Sequence, residues 1–432
     1  MNLVLAFLGF DFIIIVHEFG HFIVAKMADI KVLEFSLFVG PKIFSIKKGE
    51  TEYSLRLIPI LAYVKMEGEE EKSDSERAFN NKSLPVRFAV VAAGPLANLF
   101  VAILIISIVF GMTGFVTTQL SYVEEESPGY SANLRVGDKI VKYDGKRVYH
   151  PMDIIQFLYV YKGKPAEVEV IRDGQKFTTV IEPLKIPEQE KYLFGFSVEQ
   201  IAGSLSNVVG AVSPGTPAEA AGLRPGDKII KLNETPINEK KDIDDFMSTN
   251  KGEPVKMTVL RGNDEIVLEI TPYRQVIPEQ YYVGIEYDIR RGDVFETIGQ
   301  SAVYTYTIVR HVVYNLVWLI SGDVSINQMT GPIGIVSTIG DVVEQGITLK
   351  DKLLYLLNIT GFLSIAIGAT NLIPFPALDG NKLLLFIVEA IRGKPIPQEK
   401  EALITFIGFI FLIMLALLSV YNDIARLLSG GF

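Results

Sequence analysis

His17-Glu18-Phe19-Gly20-His21 places two imidazoles four residues apart with a carboxylate beside the first. On a helix, residues four apart share a face, so both rings can reach one metal ion. Glu18 is offset by one position and can address a water held by that ion instead. The chemistry this supports is metal-assisted hydrolysis. Zinc lowers the pKa of its water from about 15.7 to about 7, and a neighbouring carboxylate can take that proton and later give one to a leaving amine. The chain has four histidines and no cysteine, so disulfides and thiolate sites are excluded and any zinc must be held by nitrogen and oxygen.

Catalytic zinc usually takes three protein ligands, and the third has to come from elsewhere. His150 and His311 lie in segments remote from the first helix and fit poorly. Asp379 fits better. It closes the phrase Asn371-Leu372-Ile373-Pro374-Phe375-Pro376-Ala377-Leu378-Asp379-Gly380 at the end of an apolar stretch. The two prolines interrupt a helix there, and Gly380 permits a turn that could aim Asp379 back at the histidines. Spacing alone leaves an N-cap for the following helix as an equal reading of Asp379.

The elements that must position these groups are mostly hydrophobic. Nearly half of the 432 residues are apolar, yet 21% are charged, a blend that fits a membrane protein carrying a soluble portion. Four apolar stretches, within 1–27, 88–116, 353–378 and 402–426, approach the roughly 20 residues of a spanning helix. The first has no Lys or Arg before Lys26, so it lacks the basic start of a cleaved signal and reads as a retained helix. Ionisable groups inside such a helix cost roughly 2.5–3.5 kcal/mol each on insertion scales, which marks Glu18 and the histidines as functional. The 28–87 loop carries ten Lys and Arg, and the loop after the third span carries Lys382, Arg392, Lys394 and Lys400. The positive-inside rule makes both cytoplasmic. The termini and the 117–350 region then face outward, and His17, His21 and Asp379 fall at matching depths on the cytoplasmic side.

Within 28–87, four short β-branched or aromatic runs (34–38, 42–46, 53–58 and 62–66) predict a small sheet against the membrane face. The outer region repeats itself at an offset of 89 residues: Ser127-Pro128 matches Thr216-Pro217, Gly137-Asp138-Lys139-Ile140 matches Gly226-Asp227-Lys228-Ile229, and Asp153, Arg172 and Gly195 match Asp242, Arg261 and Gly284. Each copy reads as strands around a Gly-Asp turn with one helix, at 117–199 and 205–290. The phrase Ser/Thr-Pro-x-x-x-Ala-x-Leu-Arg-x-Gly-Asp-Lys-Ile resembles PDZ domains of the circularly permuted bacterial kind, which can add an extended peptide as a strand. The 294–321 segment is helical and aromatic, and Arg310 and His311 at its middle favour an interfacial lie. A net charge of −9 without a basic stripe argues against nucleic acid as a partner.

Taken together, His-Glu-x-x-His on the first span, Asn-x-x-Pro-x-Pro-x-Leu-Asp-Gly on the third and PDZ-like modules between them resemble the site-2 protease family, peptidase family M50, in its bacterial RseP-like branch. Ala93-Gly94-Pro95-Leu96-Ala97-Asn98, Ser321-Gly322-Asp323-Val324, Gly331-Pro332-Ile333-Gly334 and Tyr421-Asn422-Asp423 support the resemblance. It implies an α-helical polytopic membrane protein of four transmembrane helices, with a membrane-associated β element and two tandem PDZ (α+β) domains. It implies one zinc ion on His17, His21 and Asp379, Glu18 as acid/base, and Asn371 holding substrate backbone. The implied activity is a zinc endopeptidase of the bacterial inner membrane that cuts single-span proteins such as anti-sigma factors or remnant signal peptides. Gly94 reads as a helix-packing residue rather than part of the chemistry. A metal transporter or a silent PDZ scaffold would use the same ligands or modules but would leave Glu18 idle.

Overall fold

The computed structural model describes residues 2–69, 71–201, 204–213, 215–277, 279–324, 334 and 348–428. The Gly331-Pro332-Ile333 phrase lies outside them. The chain opens with α1 (Asn2–Met27), one unbroken helix. Asp11, Ile13, His17, His21 and Ala25 are buried along it, and the spacing of four from Ile13 onward turns one face inward.

Two long antiparallel strands follow, β1 (Val32–Lys48) and β2 (Thr51–Met66). Register shifts near Val39 and Ile58 bend both strands, and Phe38, Gly40 and Leu61 take positive φ at those bends. The bends turn two strands into four paired stretches. Phe35 pairs with Val64 on one side and with Tyr53 on the other, and Tyr53 also pairs with Ile46. The order across the sheet is therefore 62–66, 32–37, 51–56, 42–48. All four predicted runs are present, and the Gly40-Pro41 and Pro59 breaks are kinks within strands rather than strand ends. One edge is 62–66. α2 (Leu84–Thr113) then begins with Pro85 in its first turn, where a missing N–H costs nothing, and continues through Pro95.

The first α/β module holds β3 (Phe115–Val123), α3 (Pro128–Ser131), β4 (Lys139–Tyr143), β5 (Lys146–Arg147), α4 (Pro151–Val160), β6 (Ala166–Arg172) and β7 (Gln175–Ile181). The strands that follow are β8 (Leu184–Ile186), β9 (Gln189–Leu193), β10 (Phe196–Ile201) and β11 (Ser204–Val212). The second module continues through α5 (Pro217–Ala220), β12 (Lys228–Leu232), β13 (Thr235–Pro236), α6 (Lys240–Asn250), β14 (Val255–Arg261) and β15 (Asp264–Ile270). β16 (Tyr273–Ile277), β17 (Gln280–Tyr282) and β18 (Ile285–Arg290) complete the region.

The sheets run β18-β3-β4-β6-β7 and β10-β11-β12-β14-β15. The linear partition at 117–199 and 205–290 is not how the sheets divide. β10, expected to end the first module, pairs with β11 in the second, and β18, expected to end the second, pairs with β3 in the first. Only two residues separate β10 from β11 in the sequence, and closing so small a loop costs little entropy. The first sheet gains its edge only when the chain returns. The chain accordingly divides into compact units at Pro183 and Val283.

α7 (Val294–Ser321) matches the predicted aromatic helix residue for residue. The Arg310 and His311 side chains at its middle meet protein: both pair with the buried Asp153 carboxylate of α4, His311 Nε2 at 2.6 Å. α8 (Leu349–Asn371), an irregular link, α9 (Asp379–Arg392) and α10 (Gln398–Leu428) complete the chain. Among the described residues three helices are long and apolar enough to cross a membrane: α2, α8 and, over Glu399–Ile424, α10. α1 carries Asp11, Glu18 and Lys26 besides its histidines.

Candidate active site

His17 and His21 lie one turn apart on the buried face of α1, their rings edge to face with centroids 4.8 Å apart. Their Nε2 atoms are separated by 3.2 Å. Asp379 Oδ2 completes a triangle, 3.0 Å from His17 Nε2 and 3.5 Å from His21 Nε2. Two ligands about 2.0–2.1 Å from a tetrahedral zinc stand roughly 3.3 Å apart. These three atoms therefore outline one face of a zinc tetrahedron, and the nitrogen and oxygen donors suit the ion. Among the described residues this is the trio of His, Asp or Glu whose ligand atoms gather within 4.8 Å.

The ring of His21 is aimed by its surroundings. Its Nδ1–H donates to the Val90 carbonyl at 2.8 Å, which fixes the tautomer and leaves Nε2 with its lone pair for a metal. Its space depends on Gly94 of α2, where an added Cβ would stand 2.3 Å from His21 Nε2. Gly94, expected to serve helix packing, lets the His21 ring of α1 lie against the α2 backbone. Neither feature could be read from sequence, because both depend on which residues of α2 face α1.

Asp379 reaches the histidines through the link 372–378. The positive φ needed there belongs to Ala377, at 76°, and not to Gly380. Holding a residue with a Cβ in that region costs roughly 1–2 kcal/mol. Gly380 is required for closeness instead: a Cβ would lie 2.1 Å from the Ile373 carbonyl oxygen. Leu378 stands at the N-cap of α9, so the capping alternative for Asp379 falls and its carboxylate is turned to the rings.

Glu18 lies beside the triad, and Val64 N–H donates to its Oε2 at 3.1 Å. Val64 belongs to the edge stretch of β2, so this N–H points away from β1 and outward to α1. A cavity opens at the triad, lined by His17, Glu18, His21, Val64, Asp379 and Lys382 with Met66, Glu69 and Val91. Asn371 ends α8, half-buried, and is not among these lining residues. His150 and His311 stay with α4. His150 caps α4 through Nδ1, which accepts from Met152 N–H at 3.3 Å, and burial pushes its pKa down to about 4. Val64, Glu69 and Lys382 were missed at the site because strand edges and helix faces carry no sequence signature of what they adjoin.

The Peptidase family M50 model matches residues 5–415 of this chain. Zinc metalloprotease RasP of Geobacillus kaustophilus is 30% identical, with 96% of each chain covered. Regulator of sigma-E protease RseP of Salmonella typhimurium is 29% identical, with 99% of each covered. The solved PDZ domain of HtrA3, bound to a phage-derived ligand, is similar over 21% of this chain and 91% of its own, at 25% identity and a TM-score of 0.19.

Proposed function

The chain belongs to peptidase family M50 and is a zinc metalloendopeptidase of the site-2 type set in a membrane; on that premise we propose that His17, His21 and Asp379 hold the zinc, that Glu18 is the acid/base, and that Asn371 holds substrate backbone. The observation that carries this reading is the triangle of ligand atoms, with edges of 3.0, 3.2 and 3.5 Å, beside Glu18.

Zinc bound there supplies Lewis-acid polarisation of the scissile carbonyl and a water of lowered pKa. The protein does the rest. Val64 N–H fixes one oxygen of Glu18, and the other takes the water's proton and returns it to the amide nitrogen as the C–N bond breaks. The Val90 carbonyl and Gly94 keep His21 aimed throughout. Asn371, at the end of α8, offers an amide to the extended backbone of the substrate.

α1 is the fourth span in this reading. The spread of Lys and Arg puts the 28–87 segment and the loop between the third and fourth spans in the cytoplasm and both modules outside, in the inner membrane of a bacterium. The apolar face of the sheet, where Phe44, Ile46 and Tyr53 are exposed, then lies against lipid. The substrates are single-span proteins already trimmed outside, of the anti-sigma or remnant signal-peptide kind, in keeping with the regulator-of-sigma-E name of one relative. The two modules are a tandem PDZ pair that screens those substrates by size or by their new ends.

Co-expression with tagged single-span candidates tests the reading. Glu18→Gln lowers cleavage by roughly 10²–10⁴-fold while metal analysis of the purified variant finds zinc retained. A Glu18→Gln enzyme that cuts at the wild-type rate overturns the assignment, and it would suit a transporter that has no use for Glu18.

A further inference from the structure

The cavity at the metal triad has a neighbour, and the wall between them carries a charged pair. The second cavity is lined by Glu34, Arg56, Tyr63 and Lys65 of the sheet, and it shares Val64, Met66, Glu69 and Lys382 with the first. Lys382 follows Asp379 by three residues on α9, so the helical face that delivers the metal ligand also delivers this ammonium. Its Nζ donates to Glu69 Oε1 at 2.9 Å. Glu69 stands three residues beyond the end of β2, whose edge stretch already binds Glu18.

Three physical points bear on this pair. Glu69 and Lys382 line both cavities, so a peptide that reaches from the sheet cavity to the metal site meets both. Both side chains of this pair are partly exposed to solvent, where an ion pair adds little net stability, so it can open at modest cost. An ammonium has three donors, and the acceptor a strand presents at every residue is a backbone carbonyl. We propose that Lys382 is a substrate-binding residue that donates to a backbone carbonyl of the peptide beside the metal, with Glu69 as its partner at rest, the Glu69–Lys382 contact closing the passage until a substrate takes its place. This rests on the peptidase reading above and adds to it the group that receives the substrate strand.

The test uses the full-length, zinc-loaded chain in detergent with two substrates, a single-span protein and a short soluble fluorogenic peptide. Lys382→Met raises KM about tenfold, the loss of one charge-assisted hydrogen bond, with kcat within about threefold of wild type and zinc content unchanged. Lys382→Arg restores most of the loss. Glu69→Gln leaves KM unchanged or lower, since it removes only the competitor. A wild-type KM in Lys382→Met overturns the proposal. So does a loss of zinc in that variant, or a rise in KM with Glu69→Gln equal to that with Lys382→Met, either of which makes the pair a structural tie. Wild-type enzyme that cuts the soluble peptide but no single-span protein refutes the substrate class proposed above, while the KM comparison is still read on the peptide.

Discussion

Two regions of the molecule began as one sequence and now differ in what their helices do. In both modules a buried aspartate, Asp138 or Asp227, accepts from the arginine of the matching strand at 2.7 Å, Arg172 or Arg261. The same arginines reach back to the Asn133 and Gly222 carbonyls. Even the irregular step in the ladder recurs, at Ile140/Lys142 and at Ile229/Lys231. The helices diverge. Asp153 and Asp242 each accept two backbone N–H groups at the start of their helix, but only Asp153 also holds Arg310 and His311 of α7. Phe157 of α4 is fully buried and meets Tyr314 and Trp318, whereas α6 buries Ile243 alone in full and presents a largely charged surface. Duplication preserved the code that folds the sheet and released the helix surface, so one copy became a foundation for α7 while the other kept an open helix.

The largest effect that would break this comparison is at the matched aspartates. Asp153→Ala strips Arg310 of its buried counter-charge and His311 of its acceptor and costs about 3–5 kcal/mol, while Asp242→Ala loses only capping, about 1 kcal/mol. Hydrogen exchange across α4 and α6 in the full chain reads both, and equal losses would refute the division of labour. The exchanged strands come next. Gly195 and Gly284 sit at φ of 91° and 75°, where a Cβ would strike Thr216 and Ser127 at 2.2 Å in each case. Gly284→Ala therefore destabilises the first module, and Gly195→Ala the second, each by about 2 kcal/mol or more. Gly284→Ala loosening β11–β15 instead would mean that the modules divide along the linear sequence.

Acid gives the smallest difference. Burial raises the pKa of Asp138, but Arg172 and the Arg135 N–H outweigh it and hold it below its ordinary value of 3.8. Asp153 is lowered in the same way, with His311 and Arg310 prevailing over burial, and Asp227 is lowered chiefly by Arg261. A carboxyl depressed on folding contributes stability that is present above its unfolded pKa and is lost as pH falls through the folded value. The first module holds three such carboxylates, Asp138, Asp153 and Glu169, against Asp227 in the second. Below about pH 3.8 its amides should lose more protection, and exchange measured at pH 6 and pH 3 in the same sample decides it.

Local pattern reached far in this chain. The His-Glu-x-x-His helix, the aromatic helix at 294–321 and the four strand runs follow from residue type and short-range period, which the backbone obeys wherever the segment ends up. Asp379 was a candidate because two prolines and an aspartate stand together, but spacing could not separate a metal ligand from a helix cap. Gly380 was singled out for the wrong freedom. The turn is made by Ala377, and the glycine is needed because a carbonyl lies where its side chain would be.

Sequence by itself determined the two-histidine helix with its carboxylate and the elements around it, because helix period and the rarity of charge in apolar runs are local properties. Tertiary structure alone decided that Asp379 meets His17 and His21, that Gly94 and the Val90 carbonyl aim the ring, and that the strand beginning at Ile285 completes the sheet begun by Phe115. Those outcomes depend on contacts between residues tens to hundreds of positions apart. No short window contains them, and which of the competing pairings forms is set by packing and by the entropy of closing each loop.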